Sequence, residues 1–402
     1  MTRPRVVILG GGFAGLACAL ALPASAADVV LVDRRSAFEF LPAIHELLSG
    51  LKAPAALRLP YPELLGGRGH RFRRGEVRAV DAVRRRVALA RGALRYDYLV
   101  LALGAADADF GVAGVREHAL GFKSVAQCAA IGRRLRALAA ADAPARVTVV
   151  GAGLEGVEAL GEILRRYRHS RLAVTVVEAR ERLLPGAPTA AGERLAAHCA
   201  AWGVRRVHGD RVARITARTL QLDSGRRLRS DLTIWTGGPA PQPLYAGSGL
   251  AGDGEWVPAT PRLLHPAHAR VYLAGDAAAC VPAIAKQAYH AMDMGRHCAR
   301  DLLRRERGRR RSPYRPAAKP QLIAFGDLDG LLVQGERVFA GAALGLGKEA
   351  VYQAVMARFD RRGGIARFAG LARRGCQAAG HVPWPLPSLR ALPARLRLHR
   401  LA

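Results

Sequence analysis

Two stretches of this 402-residue chain carry glycines at the spacing that holds a nucleotide. The first is Gly10-x-Gly12-x-x-Gly15 and the second is Gly151-x-Gly153-x-x-Gly156. In this spacing one glycine makes a tight turn, one lets the backbone approach a pyrophosphate, and one lets a helix pack closely on a strand. The chemistry on offer is anion binding, because the helix that follows presents free N–H groups and the positive end of its dipole. An acid closes each stretch. Asp33 and Glu178 stand where a carboxylate accepts hydrogen bonds from a ribose. Glu178 would also repel a 2′-phosphate and so favours NADH over NADPH, an effect that Arg180 and Arg182 just beyond it partly offset. A third stretch, Lys286-Gln-Ala-Tyr289-His290, follows Gly275-Asp276 and gathers an ammonium, a phenol and an imidazole. Such groups stabilise developing negative charge or supply a proton.

Strands and helices must position these residues. Residues 5–9 and 28–33 read as buried parallel strands, with the first glycine turn opening a helix between them. The same order recurs with residues 146–150, the second glycine turn and residues 172–178, which marks an internal duplication. Residues 96–104 form a further strand ending at Gly104. Residues 231–236 run into Gly237-Gly238, and residues 270–274 run into Gly275-Asp276. A helix is expected over residues 124–141. Another is expected from Pro282 to about Leu303, with Lys286 in its first turn. Residues 70–91 alternate in charge and apolarity and predict antiparallel strands with a basic outer face. Residues 6–27 are uncharged after a basic start, like a secretory leader or a short span. Four glycines and Pro23 interrupt that run, and its pattern continues to Asp33, so strand–turn–helix is the better reading.

The formal net charge is +30, from 62 basic and 32 acidic residues, and only five of the bases are lysine. Such a chain attracts anionic partners: lipid headgroups, nucleic acid or acidic cofactors. No aromatic-interleaved basic motif of a nucleic-acid module is present, which disfavours nucleic acid, although a flavin-bound NADH sensor on nucleic acid remains the reading from another class. Six scattered cysteines form no C-x-x-C pair, so no metal site or local redox disulfide is indicated and a cytoplasmic setting fits. His45, in the segment 38–50, is read as a structural histidine. The tail from residue 304 carries a net +14 and has no acid after Asp360. Val351, Val355, Met356, Phe359, Ile365, Phe368 and Leu371 alternate there with arginines, and leucine, Trp384 and arginine mix again over residues 384–398. Such segments suit attachment to an anionic membrane surface without a span, and Gly363-Gly364 should divide the first of them.

Taken in order, the two fingerprints, Leu103-Gly104, Thr236-Gly237-Gly238 and Ala274-Gly275-Asp276 resemble the two-dinucleotide-binding-domain flavoproteins over residues 4–305. Within that group the chain is similar to type II NADH:quinone oxidoreductases and the related ferroptosis suppressor proteins, the latter through Lys286-x-Ala288-Tyr289. Typical type II enzymes carry two glutamines where Lys286 and His290 stand. The resemblance implies an α/β fold of two Rossmann-like domains, the second inserted in the first, plus a basic C-terminal segment. The implied bounds are 1–115 with 237–318 for FAD, 116–236 for NAD(P)H, and 319–402 for membrane association or an interface. FAD would lie on Gly10, Gly12, Phe13, Ala14, Gly15, Asp33, Arg34, Val77, Ala102, Gly104, Gly237, Gly275 and Asp276. NADH, with NADPH as the alternative, would lie on Gly151, Gly153, Leu154, Glu155, Gly156 and Glu178. Glu158 resembles the family glutamate near the nicotinamide, and Lys286, Tyr289 and His290 would serve the quinone. The enzyme would sit peripherally on the inner face of the cell membrane, and a homodimer is compatible with the sequence. A second enzymatic reading, sulfide:quinone oxidoreduction, needs thiols beside the flavin, for which Cys280 and Cys128 are the candidates.

Overall fold

The computed structural model describes residues 3–359 and 398–401. Its contacts divide the chain into two units. The first comprises Met1–Glu39, Arg58–Ala106 and Pro239–Ala318, and the second comprises Phe40–Leu57, Asp107–Gly238 and Lys319–Ala402.

In the first unit a five-stranded sheet runs in the order Val271–Leu273, Tyr98–Leu101, Arg5–Leu9, Asp28–Asp33, Arg71–Arg74, with every pairing parallel. Val6, Val7, Ile8 and Leu9 are all fully buried, as a central parallel strand covered on both faces requires. The helix Phe13–Ala21 begins at Gly12, and the helix Ala288–Glu306 packs on it. The uncharged run 6–27 is therefore a buried strand, a helix and a partly exposed turn.

Residues 70–91 depart from expectation. Arg71–Arg74 joins the edge of the parallel sheet beside Asp28–Asp33, where its exposed arginines face solvent. Only Val77–Asp81 and Arg86–Leu89 pair antiparallel, with Ala93–Arg95 as third strand.

The second unit repeats this plan. Its parallel sheet runs Ala119–Gly121, Leu232–Trp235, Ala145–Val150, Leu172–Glu178, Arg205–His208. A three-stranded antiparallel sheet, Val212–Ile215, Thr219–Leu222 and Arg227–Arg229, accompanies it. The expected helix spans Val125–Ala140, capped where Ser124 Oγ accepts the Gln127 N–H at 3.2 Å.

C-terminal strands Gln321–Phe325, Asp329–Gln334, Arg337–Ala340 and His399–Leu401 form an antiparallel sheet in this second unit. Buried Asp329 ties it down, with Arg194 Nε at 2.6 Å and His198 Nε2 at 2.9 Å, both from the helix Thr189–Ala201. Burial alone would raise the Asp329 pKa, but these partners hold it below the usual carboxylate range.

The helix Leu344–Phe359 packs on the first two of those strands, with Val355, Met356 and Phe359 buried. These three residues, expected at a membrane surface, are core. An amphipathic stretch has an apolar face either way, and here protein covers it. Of the other tail residues proposed for the membrane, Val351 is half-buried in this helix and Leu398 is exposed, while Ile365, Phe368, Leu371 and Trp384, and the break at Gly363-Gly364, lie outside the described residues.

Candidate functional site

The two glycine turns are the same object built twice. Gly10 has φ +96° and Gly151 φ +94°, the left-handed region where a side chain is strained. A Cβ on Gly15 would lie 1.8 Å from Gly10 O, and one on Gly156 would lie 1.9 Å from Gly151 O. These third glycines therefore let each helix touch its own turn. Gly12 and Gly153 differ from them, since a Cβ on either meets nothing within 4 Å. Each caps its helix without a side-chain acceptor for the first-turn N–H groups. Open space before uncapped helix N–H groups is the cradle a pyrophosphate fills.

The strand-end acids repeat the symmetry. Asp33 Oδ2 accepts the Gly11 N–H at 2.7 Å, and Oδ1 accepts the Arg35 N–H at 2.8 Å. Glu178 Oε2 accepts the Ala152 N–H at 2.6 Å, and Oε1 accepts the Arg180 N–H at 3.0 Å. Each carboxylate is thus locked beside its glycine turn. Tyr61 supports the first turn by donating its hydroxyl to Gly11 O at 2.9 Å. Arg182 is spent on carbonyls, 3.1 Å from Leu184 O and 2.7 Å from Ala187 O, which leaves exposed Arg180 as the nearby cation that could meet a 2′-phosphate. Glu155 pairs with Lys123 at 2.5 Å, and Leu154 is half-buried at the helix start.

Around the first turn, Phe13 meets Phe38 edge-on at 5.0 Å, and a Cβ on Gly275 would lie 3.1 Å from the Ala14 Cβ. Ala102 is buried, and Ala102 O would lie 2.2 Å from a Cβ on Gly10. Gly104 O accepts the Tyr245 hydroxyl at 2.9 Å. Arg34 is exposed, and Val77 packs half-buried against the core of its unit. Gly237 belongs to the second unit, where it makes room for the Trp235 indole.

Gly275, Asp276, Cys280, Lys286, His290 and Met294 line one shallow opening. The helix here starts later than expected, at Ala288 with Gln287 as its cap, so Lys286 lies in the turn before it, where the Gln287 N–H donates to Ala285 O at 2.9 Å, and not in its first turn. Its ammonium donates to Asp276 O at 2.6 Å and lies 3.4 Å above the Trp256 ring. Burial lowers the Lys286 pKa, and the nearby Asp276 and Cys280 oppose that. Tyr289 is half-buried in the helix's first turn and burial raises its pKa; His290 is buried.

Glu158 lies in the second unit, buried in the helix Leu154–Tyr167. Its Oε1 takes the Lys348 ammonium and the Ala324 N–H, and its Oε2 lies 3.4 Å from His45 Nδ1. Burial raises the Glu158 pKa and Lys348 opposes it. Beside it, Lys52 bridges Glu46 at 2.6 Å and Glu349, and Glu162 meets Ser49. His45 is thus a buried partner of Glu158. Sequence reading missed Lys348, Lys123 and Trp256. The one signal for the two lysines was that lysine is rare here, with 57 arginines against five lysines. Cys128 is fully buried, and burial pushes the Cys280 thiol up, so neither is an activated thiolate. Among the described residues no group of His, Cys, Asp and Glu could hold a metal ion, and no helix is long and apolar enough to cross a membrane.

Residues 4–295 match the model of the pyridine nucleotide-disulphide oxidoreductase family, and the chain belongs to that family. It is 28% identical over 374 residues to the demethylphylloquinone reductase NdbB of Synechocystis, covering 87% of this chain and 91% of that protein. It is 24% identical to a type II NADH:quinone oxidoreductase of Staphylococcus epidermidis over 84% of this chain and 92% of the other. Among solved structures, NDH2 from Plasmodium falciparum in complex with NADH superposes with a TM-score of 0.84 at 14% identity, covering 96% and 99% of the two chains. The sulfide:quinone oxidoreductase of Aquifex aeolicus superposes at 0.77 with 18% identity, over 99% of this chain and 97% of the other. At these identities the two structures speak for the fold alone.

Proposed function

We propose that this chain is an FAD-dependent NADH:quinone oxidoreductase. The observation that carries the reading is the duplicated cradle, with one open second glycine and one locked acid in each nucleotide site. Gly12, Phe13, Ala14, Asp33, Gly275 and Asp276 would hold FAD, and Gly153, Leu154 and Glu178 would hold NADH. The FAD held by those residues would supply the means to accept a hydride from NADH and to deliver two electrons to an acceptor. The quinone acceptor is supported by the names of the two sequence relatives. NADH brings a hydride, so turning a quinone into a quinol takes up one further proton. Tyr289, His290 and Lys286 are the groups we assign to charge and proton at the acceptor, and Glu158 is assigned to the nicotinamide end. Tyr289, whose pKa burial raises, holds its proton to higher pH than an exposed phenol does. The test is NADH consumption by purified protein with and without a soluble quinone. Turnover that ignores the quinone would remove the acceptor from the proposal.

Glu178 sets the coenzyme. Its carboxylate is pinned beside the second turn, and a 2′-phosphate there meets like charge. Glu178→Ala should narrow the NADH-over-NADPH preference about tenfold, or roughly 1.4 kcal/mol. A wild-type preference for NADPH would instead put Arg180 in control.

The +30 charge supports attachment to an anionic membrane surface, where a lipophilic quinone resides. Intact protein should float with anionic vesicles and stay behind with neutral ones. Equal behaviour with both would end that part of the proposal.

A further inference from the structure

We propose that Trp256 is a positioning residue for the flavin site, holding the Lys286 ammonium in the opening where the reduced cofactor's negative charge develops. The inference rests on the FAD assignment above. A lysine side chain has four rotatable bonds and prefers water. Two contacts oppose that freedom. The indole face of Trp256 lies 3.4 Å under the ammonium, well inside cation–π range, and Asp276 O accepts a hydrogen bond from it at 2.6 Å. Both partners belong to the same unit as the opening. Asp276 itself is in the Gly-Asp pair assigned to the cofactor, and Gly275, Asp276 and Lys286 line one opening. The carbonyl fixes one end of the ammonium's reach and the indole fixes its height. An indole suits the task because it attracts the cation without neutralising it.

The consequence is a set potential. An ammonium held by the cofactor favours its reduced, anionic form, and a freed one is screened by water. The experiment measures the midpoint potential of the bound flavin and its affinity for sulfite in the full-length holoprotein. The proteins are wild type, Trp256→Leu, Trp256→Phe, Lys286→Met and the Trp256→Leu/Lys286→Met double variant. Trp256→Leu should lower the reduction equilibrium about tenfold, which is about 30 mV for a two-electron couple, and weaken sulfite binding about as much. Trp256→Phe, which keeps a ring face, should recover most of the loss. In the Lys286→Met background the tryptophan change should do nothing further, because its effect passes through the ammonium. The proposal is overturned if Trp256→Leu keeps the wild-type potential, or if it shifts the potential equally with and without Lys286. A wild-type protein that takes up no flavin would overturn the FAD assignment instead, and that result is read before any variant is compared.

Discussion

Gly12→Val is expected to give a folded protein that has lost FAD. Gly12 has φ −67° and ψ −166°, ordinary extended backbone open to any residue. Its Cβ would touch nothing in the protein within 4 Å, so the chain itself tolerates the change. The added methyls would fill the space assigned to the pyrophosphate. Affinity should fall a hundredfold or more, roughly 3 kcal/mol. Gly15→Ala is the control that separates binding from folding. Its Cβ would lie 1.8 Å from Gly10 O, so it must pry the helix off its own turn. That variant should lose structure, not merely cofactor. Flavin absorbance per chain after desalting, read beside circular dichroism, checks both. Gly153→Val, at the equivalent position, should keep flavin and lose the response to NADH. A Gly12→Val protein with a full complement of flavin would contradict the site.

Lys348→Met is expected to destabilise the protein by about 3–5 kcal/mol at neutral to alkaline pH, since it leaves a buried carboxylate without its cation. Glu158 is 5% exposed and depends on Lys348 for charge. The pH dependence has a definite sign. Burial raises the folded-state pKa of Glu158 above its unfolded value. The folded chain therefore binds that proton more tightly, and the stability linked to it is present at low pH and is lost as pH rises through the folded pKa. Removing Lys348 raises that pKa further. The variant should then be nearly as stable as wild type in mild acid, where Glu158 is neutral, and far less stable in mild alkali. Adding Glu158→Gln should restore much of the loss. Urea unfolding at the two pH values checks this, and an equal loss at both would show that Lys348 acts by packing alone.

The glycine turns and their acids were legible because everything they need is local. Strand, turn, helix and acid follow one another within about thirty residues, and the duplication of the pattern removed accident as an explanation. The late start of the helix at Ala288 was not legible. Pro282 suits a first helical turn and the alanines after it favour a helix, but residues 283–287 are irregular chain, and Lys286 there is held by Asp276 O and Trp256. Arg71–Arg74 misled for a related reason. Alternating charge marks a strand with one wet side, but it does not say whether the neighbour runs parallel. Lys348 pairs with a carboxylate 190 residues earlier in the chain, and no local pattern carries such a contact. Composition did carry a trace of it. In a chain that uses arginine almost everywhere, Lys52, Lys123, Lys286 and Lys348 all hold specific partners. A compact ammonium fits a buried carboxylate or an indole face in ways a planar guanidinium does not. The tail misled because one apolar stripe serves a membrane or a core equally well, and Val355, Met356 and Phe359 went to the core.

The most direct measurement is an anaerobic absorbance titration of the purified protein. FAD, NADH and quinone acting in sequence require that the protein show a flavin band, that one equivalent of NADH bleach it, and that a soluble quinone then restore it. A protein without the band, a band that NADH leaves unchanged, or a bleached band that no quinone restores would contradict the account.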